Sequence, residues 1–258
     1  MELSIITCTY NSEKYLQECI DSIINQNLNT KIYEHIFVDA YSTDNTKKII
    51  EKYMEKHHNV RIIERKPKWI YNAMNEGIKE SKWDYIMCLN SDDFLEKNIL
   101  TKYLKFIEET WYKDIYYWKV RVFNSVNSYV NLNNLIKLRE FLYKNFGCNV
   151  LVNHPSTLTK KTIFEWNIWM FDETKKISSD YWFFLKCMVN KKDFCYFPEV
   201  ITNFRIHNWS ISSNKKLEYI ANKENYYFKK QYLPLLTVRI SSIIDRLAGI
   251  YWKLIMKQ

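Results

Sequence analysis

Two adjacent carboxylates are the residues of this sequence most suited to chemistry. Asp92 and Asp93 closely follow an apolar run that ends at Leu89. If that run is a buried strand, both side chains lie at a rigid edge, where a divalent cation can bind while phosphate oxygens complete its oxygen shell. Mn²⁺ and Mg²⁺ both suit such ligands. The same carboxylates can instead cap a helix predicted near residues 96–108, and the local pattern supports both interpretations equally.

Polar residues also follow two other predicted strands. Thr9, Tyr10 and Asn11 follow the first strand, Asp39 follows the second, and the segment 90–93 follows the fourth. Because the carboxyl ends of parallel strands meet at one edge of a sheet, these clusters should converge on a single ligand-binding crevice. Such convergence indicates a site more strongly than any one cluster does.

The elements that must position these residues alternate between strand and helix. Apolar runs at 3–8, 35–38, 60–63 and 85–89 predict strands, and helical patterns occur at 12–27, around 49–54 and near 70–80. This order predicts an α/β fold with a mostly parallel, Rossmann-like sheet flanked by helices. From about residue 115 the pattern changes, with a further strand predicted at 115–122.

The composition is that of a folded domain, and its net charge favours an anionic partner. The chain of 258 residues is 47% hydrophobic and 26% charged, which excludes a disordered protein. Its net charge of +9 favours a partner such as a nucleoside diphosphate or an acidic membrane surface. Because no RRM, KH or zinc-binding pattern accompanies this charge, nucleic acid is not expected as a partner.

The cysteines and the N-terminus predict a cytoplasmic location. The six cysteines form no CxxC pair, and residues 1–6 lack the basic and apolar regions of a signal peptide. A run of about 18 apolar residues, as a transmembrane helix needs, is absent from the sequence. We therefore expect reduced thiols and a cytoplasmic protein, with peripheral contact to a membrane left open.

Several ordered segments of the sequence resemble family 2 glycosyltransferases. The resemblance covers roughly residues 3–213. The first four segments are Thr7 to Asn11, Val38 to Thr46, Ile70 to Ile78 and Leu89 to Asp93, and those downstream are Asn153 to Ser156, Phe171 to Glu173, Ser179 to Trp182 and Asn203 to His207.

This resemblance implies a GT-A fold and an inverting transfer from a nucleoside diphosphate sugar. Asp180 matches the general base, which takes a proton from the acceptor hydroxyl as its oxygen attacks the anomeric carbon. Asp92 matches the metal-binding aspartate, with Asp93 beside it and His207 as a candidate third ligand. Arg205 and the cation would neutralise charge on the leaving diphosphate. The residues matched to donor binding are Thr9, Tyr10, Asn11, Asp39, Asn72, Ser91, Asp92 and Arg205.

Other interpretations of these residues stay open at this stage. Asp180 can cap the helical run that starts at Tyr181. His154 matches a polar position of the acceptor pocket, but a loop histidine that stabilises Pro155 is an equal alternative. A single histidine such as His207 is more often structural than metal-bound.

The sequence departs from the family at three positions. Trp69 and Asn72 stand where many relatives have Gly and Asp, and Asn90 replaces the first carboxylate of the acidic motif. Core packing is the expected role of Trp69. These departures leave the nucleotide and sugar preference open.

Two regions are predicted, a catalytic domain at 1–213 and a helical extension at 214–258. Within the first, residues 1–110 would bind the nucleotide sugar and residues 111–213 the acceptor. An apolar stripe between 233 and 254 fits packing on the domain, a homodimer, or contact with a membrane that carries a lipid-linked acceptor.

The function predicted from the sequence is metal-dependent, inverting transfer to a glycan or lipid-linked acceptor, with a UDP-sugar as the favoured donor. The alternative is a catalytically silent module that binds a nucleotide or glycan. A nucleotidyltransferase lacks support, because no Gly-rich phosphate loop follows the first strand.

Overall fold

The computed structural model describes residues 2–66, 69–124, 128–130, 152, 154–165, 170–207, 215–235, 237–240 and 242–243. Its first half alternates strands and helices as predicted. The elements are β1 (Leu3–Thr9), α1 (Leu16–Ile24), β2 (Tyr33–Asp39), α2 (Thr46–Met54), β3 (Val60–Glu64), α3 (Ile70–Glu80), β4 (Tyr85–Cys88), β5 (Phe94–Leu95), α4 (Ile99–Glu109), β6 (Ile115–Phe123), β7 (Ser128–Val130), a 3₁₀ turn (His154–Ser156), β8 (Thr157–Lys160), α5 (Thr162–Glu165), α6 (Ser179–Val189), β9 (Phe194–Arg205) and α7 (Lys215–Tyr232).

All the described strands form one mixed sheet. Its order is β3-β2-β1-β4-β8-β6-β9-β5, and β7 pairs with β6. The strands β3, β2, β1 and β4 are parallel, as expected, while β8 lies antiparallel to both β4 and β6. The strand β9 runs parallel to β6, and β5 pairs with it in the antiparallel direction. The parallel half therefore ends at β4, and the second half adds antiparallel pairs.

The sheet is buried on both faces, so nearly every residue of β1, β2 and β4 is buried, including polar residues such as Ser4 and His35. Successive residues of β1 point to opposite sides: Ile5 packs in one core cluster and Ile6 in the other. The first cluster includes Cys19 of α1 and Leu100 of α4, whereas the second includes Met74 of α3 and Phe183 of α6. The domain thus has a three-layer α/β/α arrangement.

Helix α3 lies unusually close to the sheet at Gly77. A Cβ atom added at this glycine would lie 2.5 Å from Cγ2 of Ile6 and 3.2 Å from Cγ2 of Val38. Glycine is needed here for close approach, although it costs about 1 kcal/mol of helix propensity. The contact holds the second half of α3 against β1 and β2, and Asn72 lies in the first turn of the same helix.

Helix α7 packs on the catalytic domain through α6. The indole of Trp182 stacks on the ring of Phe228 at 4.3 Å, and its Nε1 donates to Oδ1 of Asn225 at 2.9 Å. Of the three roles expected for the extension, packing is therefore observed for Lys215–Tyr232. Most of the predicted apolar stripe, and the predicted boundary at 213, lie outside the described residues. Among the helices that the structure describes, none is both long and apolar enough to cross a membrane.

Candidate active site

The loops after β1 and β2 meet around the carboxylate of Asp39. This side chain is fully buried. Its Oδ1 accepts hydrogen bonds from Oγ1 of Thr9 at 2.8 Å and from Oγ of Ser42 at 2.6 Å, and its Oδ2 accepts one from the Ser42 N–H at 2.8 Å. A carboxylate offers about four acceptor positions, so the protein itself uses about three of them. The sequence thus places Thr9 and Asp39 together, but most of the carboxylate's capacity serves to shape the loop.

Tyr10 and Asn11 form the rim of this region. Tyr10 is 66% exposed. Asn11 has a left-handed backbone, with φ of 49°, and its Oδ1 accepts a hydrogen bond from the Thr43 N–H at 2.9 Å. Such a backbone is uncommon outside glycine and is often found at functional loops. Asn11 therefore joins the loops after β1 and β2, and Tyr10 offers an open aromatic face.

The loop after β4 brings Asp92 to His207, 115 residues away in the chain. Oδ2 of Asp92 lies 3.0 Å from Nε2 of His207, and the two side chains are 29% and 28% exposed. Ser91 joins this loop to the one after β1, because its Oγ lies 2.9 Å from Oγ of Ser12. The predicted metal residues Asp92 and His207 are therefore adjacent and accessible.

Asp93 occupies a different environment from its neighbour. It is buried, its Oδ1 accepts a hydrogen bond from the Arg205 N–H at 2.8 Å, and its Oδ2 accepts one from Nδ2 of Asn90 at 2.8 Å. Burial and the charge of Asp92 raise the pKa of Asp93 well above its usual value, while its hydrogen-bond donors oppose that shift. This placement disagrees with the expectation that Asp93 binds the cation, because the carboxylate is enclosed by protein donors.

Neither acidic residue caps a helix. The nearest helix, α4, begins five residues after the Phe94 that opens β5, and its N-cap, Asn98, makes no side-chain capping hydrogen bond. The capping interpretation of Asp92 and Asp93 is therefore wrong, because β5 separates them from that helix.

Arg205 is held rigidly beside the acidic loop. Its Nε donates to the main-chain oxygen of Asp92 at 2.9 Å, and its guanidinium contacts the carboxylate of Glu18. The guanidinium carbon lies 4.4 Å from the ring centroid of Tyr15 and 4.5 Å from that of Phe123. Much of the charge of Arg205 is therefore balanced within the protein, and the side chain also fixes the loop that carries Asp92.

Tyr15 is a residue of the site that the sequence did not indicate. Its ring stacks on His207 at 5.6 Å and also covers Arg205. A tyrosine just before α1 looks like an ordinary aromatic residue at a helix start, so no local signal could have identified it. Its contacts hold both downstream residues against the first loop.

Asp180 is buried at the start of α6 and accepts three hydrogen bonds. Oδ1 accepts one from the hydroxyl of Tyr71 at 2.9 Å, and Oδ2 lies 3.2 Å from the backbone N and 3.0 Å from Nδ1 of His154. Burial alone would raise the pKa of Asp180, but the hydrogen bonds and charge of His154, together with Tyr71, lower it to about 2. The N-cap position belongs to Ser178, which makes no side-chain capping bond, so Asp180 is not the helix cap.

His154 connects Asp180 to the acidic loop. While Nδ1 faces Asp180, Nε2 lies 3.1 Å from Oδ1 of Asn90. The sequence offered a loop histidine beside Pro155 as an equal alternative for this residue. The structure instead places the ring between two of the predicted functional segments.

Asn72 and Trp69 face the segment that follows residue 170. Nδ2 of Asn72 donates to Oε2 of Glu173 at 2.7 Å. Trp69 is 44% exposed, and Nζ of Lys176 lies 4.1 Å from its ring centroid. The expectation that Trp69 packs in the core is therefore wrong, because its ring stacks under a lysine at the surface.

The residues present allow a cation at Asp92 and His207 only with outside ligands. Among the residues that the structure describes, no three His, Cys, Asp or Glu side chains are grouped closely enough to hold a metal ion. A carboxylate and an imidazole are nevertheless suitable ligands for Mn²⁺, and phosphate oxygens can fill the other positions.

Curated relatives match between two fifths and nine tenths of this chain. A poly(ribitol-phosphate) beta-glucosyltransferase of Bacillus spizizenii is 36% identical over 115 residues, which are 42% of this chain and 18% of that protein. The poly(ribitol-phosphate) beta-N-acetylglucosaminyltransferase TarS of Staphylococcus aureus is 34% identical over 110 residues, covering 42% and 19%. The chain thus spans about a fifth of the length of these relatives. An uncharacterized glycosyltransferase of Methanocaldococcus jannaschii is 27% identical over 244 residues, covering 89% and 81%.

Solved structures share the fold over nearly the whole chain. Residues 1–349 of TarS from S. aureus, in complex with UDP-GlcNAc, align with a TM-score of 0.74 and 21% identity, covering 95% of this chain and 71% of that one. A mannosyltransferase of Pyrobaculum calidifontis, in complex with GDP-Man and Mn²⁺, aligns with a TM-score of 0.62 and 14% identity, covering 96% and 76%. The predicted GT-A fold is confirmed.

The family model described as glycosyl transferase family 2 matches residues 4–165, which is more than half of the chain. This range includes the loops after β1, β2 and β4 and the turn that carries His154. The chain therefore belongs to glycosyl transferase family 2.

Proposed function

We propose that this chain transfers a sugar from a UDP-sugar to a hydroxyl of a glycan or lipid-linked acceptor, with inversion at the anomeric carbon. One observation carries the proposal: Asp39, Asp92 and Asp180 lie on loops that hydrogen bonds connect to one another. Ser42 bonds to Asp39 and receives the Asn11 N–H, and Ser12 then bonds to Ser91. From there Asn90 and His154 lead to Asp180.

The nucleotide is assigned to the loops after β1 and β2. The open ring of Tyr10 suits stacking on a base, and the buried Asp39 would act by holding the loop at Ser42 beside the nucleoside. Asn72 and Ser91 stand at the sides of the same region in this proposal. The complexes of the TarS structure with UDP-GlcNAc and UDP favour uridine, whereas the P. calidifontis enzyme holds GDP-Man.

Asp92 and His207 are the residues that would hold a divalent cation, Mn²⁺ or Mg²⁺, together with the diphosphate. Bound there, the cation supplies electrostatic stabilisation of the charge that develops on the leaving group. Arg205 supports this site mainly by fixing the main chain of Asp92. The buried Asp93 holds the same loop by accepting hydrogen bonds from the Asn90 side chain and from the backbone N–H of Arg205.

Asp180 acts as the general base. It removes the proton of the acceptor hydroxyl while that oxygen forms its bond to the anomeric carbon, and the bond to the diphosphate breaks with its electron pair on the leaving oxygen. No second carboxylic acid is required, because the leaving diphosphate needs charge stabilisation and no proton. A single displacement of this kind inverts the configuration.

The helical extension fits two further expectations, peripheral contact with a membrane and a homodimer. The exposed face of α7 carries Tyr219, Lys223, Tyr226, Tyr227 and Lys230. Lysine and tyrosine suit the surface of an acidic membrane, where a lipid-linked acceptor would lie. Peripheral membrane contact and a homodimer both stay predictions, as does the cytoplasmic location.

A donor-hydrolysis assay tests the proposal. We expect slow release of sugar from UDP-GlcNAc or UDP-glucose with Mn²⁺, loss of release with a chelator, and restoration when Mn²⁺ or Mg²⁺ is added back. GDP-mannose and heat-denatured protein are the controls. Binding of UDP without release from any donor would contradict the proposal and favour the catalytically silent module.

A further inference from the structure

His154 lies between the proposed base and the acidic loop, and its ring makes a polar contact on each side. Nδ1 lies 3.0 Å from Oδ2 of Asp180, and Nε2 lies 3.1 Å from Oδ1 of Asn90. The imidazole side chain is 16% exposed. Both ring nitrogens are thus used within the protein.

The partners of Asn90 decide which way the hydrogen bond to His154 runs. Nδ2 of Asn90 donates to Oδ2 of Asp93 at 2.8 Å, so the amide oxygen faces the imidazole. With the Asn90 amide in this orientation its oxygen only accepts, and Nε2 then carries a proton. On the other side of the ring an ionised carboxylate also only accepts, and Nδ1 must carry a proton as well. An imidazole with both nitrogens protonated is a cation.

His154 also makes the two oxygens of Asp180 unequal. Oδ2 accepts from both the backbone N–H and the ring Nδ1–H of His154, whereas Oδ1 accepts only from the hydroxyl of Tyr71. Each carboxylate oxygen has about two acceptor positions. Oδ2 is therefore filled, and Oδ1 keeps one position for an incoming proton.

The groups around Asp180 show why a positive charge on His154 would affect the ionisation of Asp180. Burial would raise the pKa of Asp180, and His154 is the main group that reverses this effect. Tyr71 is a neutral donor, because burial and then the charge of Asp180 raise the pKa of its hydroxyl well above the usual value. Cys88 also lies close enough to Asp180 for their charges to interact. Burial, and then the charge of that carboxylate, raise the pKa of Cys88 to about 12, so its thiol stays neutral.

We propose that His154 is a positioning residue, a doubly protonated imidazolium that is held by Asn90, keeps Asp180 ionised and directs the acceptor proton to its Oδ1. This inference rests on the proposed role of Asp180 as the base. It also gives Asn90 a role: an aspartate at this position could accept from His154 but could not donate to Asp93.

The kinetic test replaces His154 by glutamine, which can donate a hydrogen bond but carries no charge. We expect His154→Gln to lower kcat about 100-fold and to leave the donor KM nearly unchanged. The acid limb of the kcat profile should also move up by about 1–3 pH units, because burial then dominates the pKa of Asp180. The ratio of variant to wild-type kcat should therefore fall as the pH decreases.

Two variants serve as controls. Tyr71→Phe removes a neutral donor from Asp180, so it should move the acid limb less than His154→Gln does. His58→Gln removes an exposed histidine on the α2–β3 loop and should change neither kcat nor the acid limb of its pH profile. A loss of kcat in His154→Gln that is equal at every pH would overturn the charge-based role.

A spectroscopic test does not depend on turnover. In the wild-type protein with ¹⁵N-labelled histidine, we expect both ring nitrogens of His154 to carry protons near neutral pH, with the signals assigned by their absence from His154→Gln. A ring protonated at Nδ1 alone would overturn the inference while leaving Asp180 as base. A doubly protonated ring in a protein that never transfers sugar would instead refute the proposed function and leave the imidazolium in place.

Discussion

At the residue scale, Asp92 and Asp93 are neighbours that face opposite environments. Asp92 is part-exposed beside His207, whereas Asp93 is buried under two donors. A pair of carboxylates after a strand predicts a cation site, but the pattern cannot say which side chain turns outward. That choice depends on the Arg205 backbone, which β9 brings in from 112 residues away.

The two positions should therefore respond differently to the same substitution. Asp92→Asn should leave the melting temperature of the free protein nearly unchanged but remove the extra stabilisation that Mn²⁺ gives in the presence of UDP. Asp93→Asn should destabilise the fold by about 1–3 kcal/mol, because a buried amide donor would then face a donor. Differential scanning fluorimetry with and without UDP and Mn²⁺ measures both effects. If Asp93→Asn loses the stabilisation by Mn²⁺ as fully as Asp92→Asn does, and the free variant is as stable as the wild type, then Asp93 is a metal ligand.

Much of the candidate site follows from residue types and the resemblance, and the remainder depends on distant contacts. Thr9 and Asp39 could be paired from the sequence because they end adjacent parallel strands in register. Tyr15 and the bridging role of His154 could not, because their partners are set by how the segments after residue 150 fold back onto the sheet. No spacing rule encodes such contacts.

At the element scale, the alternating half of the chain is the predictable half. Strands β1 to β4 and helices α1 to α3 come from short-range patterns whose period distinguishes strand from helix. The strands β5, β7, β8 and β9 were not predicted. The strand β5 has two residues, and β8 has four and pairs with strands distant in the chain, so their stability comes from partners and not from local sequence.

Gly77 gives a test of the contact between α3 and the sheet. Gly77→Ala should lower the free energy of unfolding, because overpacking against Ile6 costs about 1–3 kcal/mol and outweighs a gain of about 1 kcal/mol in helix propensity. Chemical denaturation of the variant measures the change. In an Ile6→Ala background, which removes the clashing Cγ2 atom, the same substitution should be much less harmful or even stabilising. An equal cost in both backgrounds would contradict the close approach.

At the scale of the whole molecule, the sheet brings segments from both halves of the chain to one place. The parallel strands deliver Asp39 and Asp92, while β8 and β9 belong to the half that delivers His154, Asp180 and His207. The hydrogen bonds from Asn90 through His154 to Asp180 join the two halves. The nucleotide loops and the proposed base therefore belong to one connected site.

The most direct test of this account is the transfer rate of Asp180→Asn, measured together with its affinity for the UDP-sugar. We expect transfer to fall by at least about 100-fold while donor affinity stays close to that of the wild type, because the lost group acts on the acceptor. Asp193→Asn, at an aspartate whose side chain is 68% exposed, is the matched control and should retain full activity. Transfer by Asp180→Asn at a rate near that of the wild type would contradict the assignment of the base.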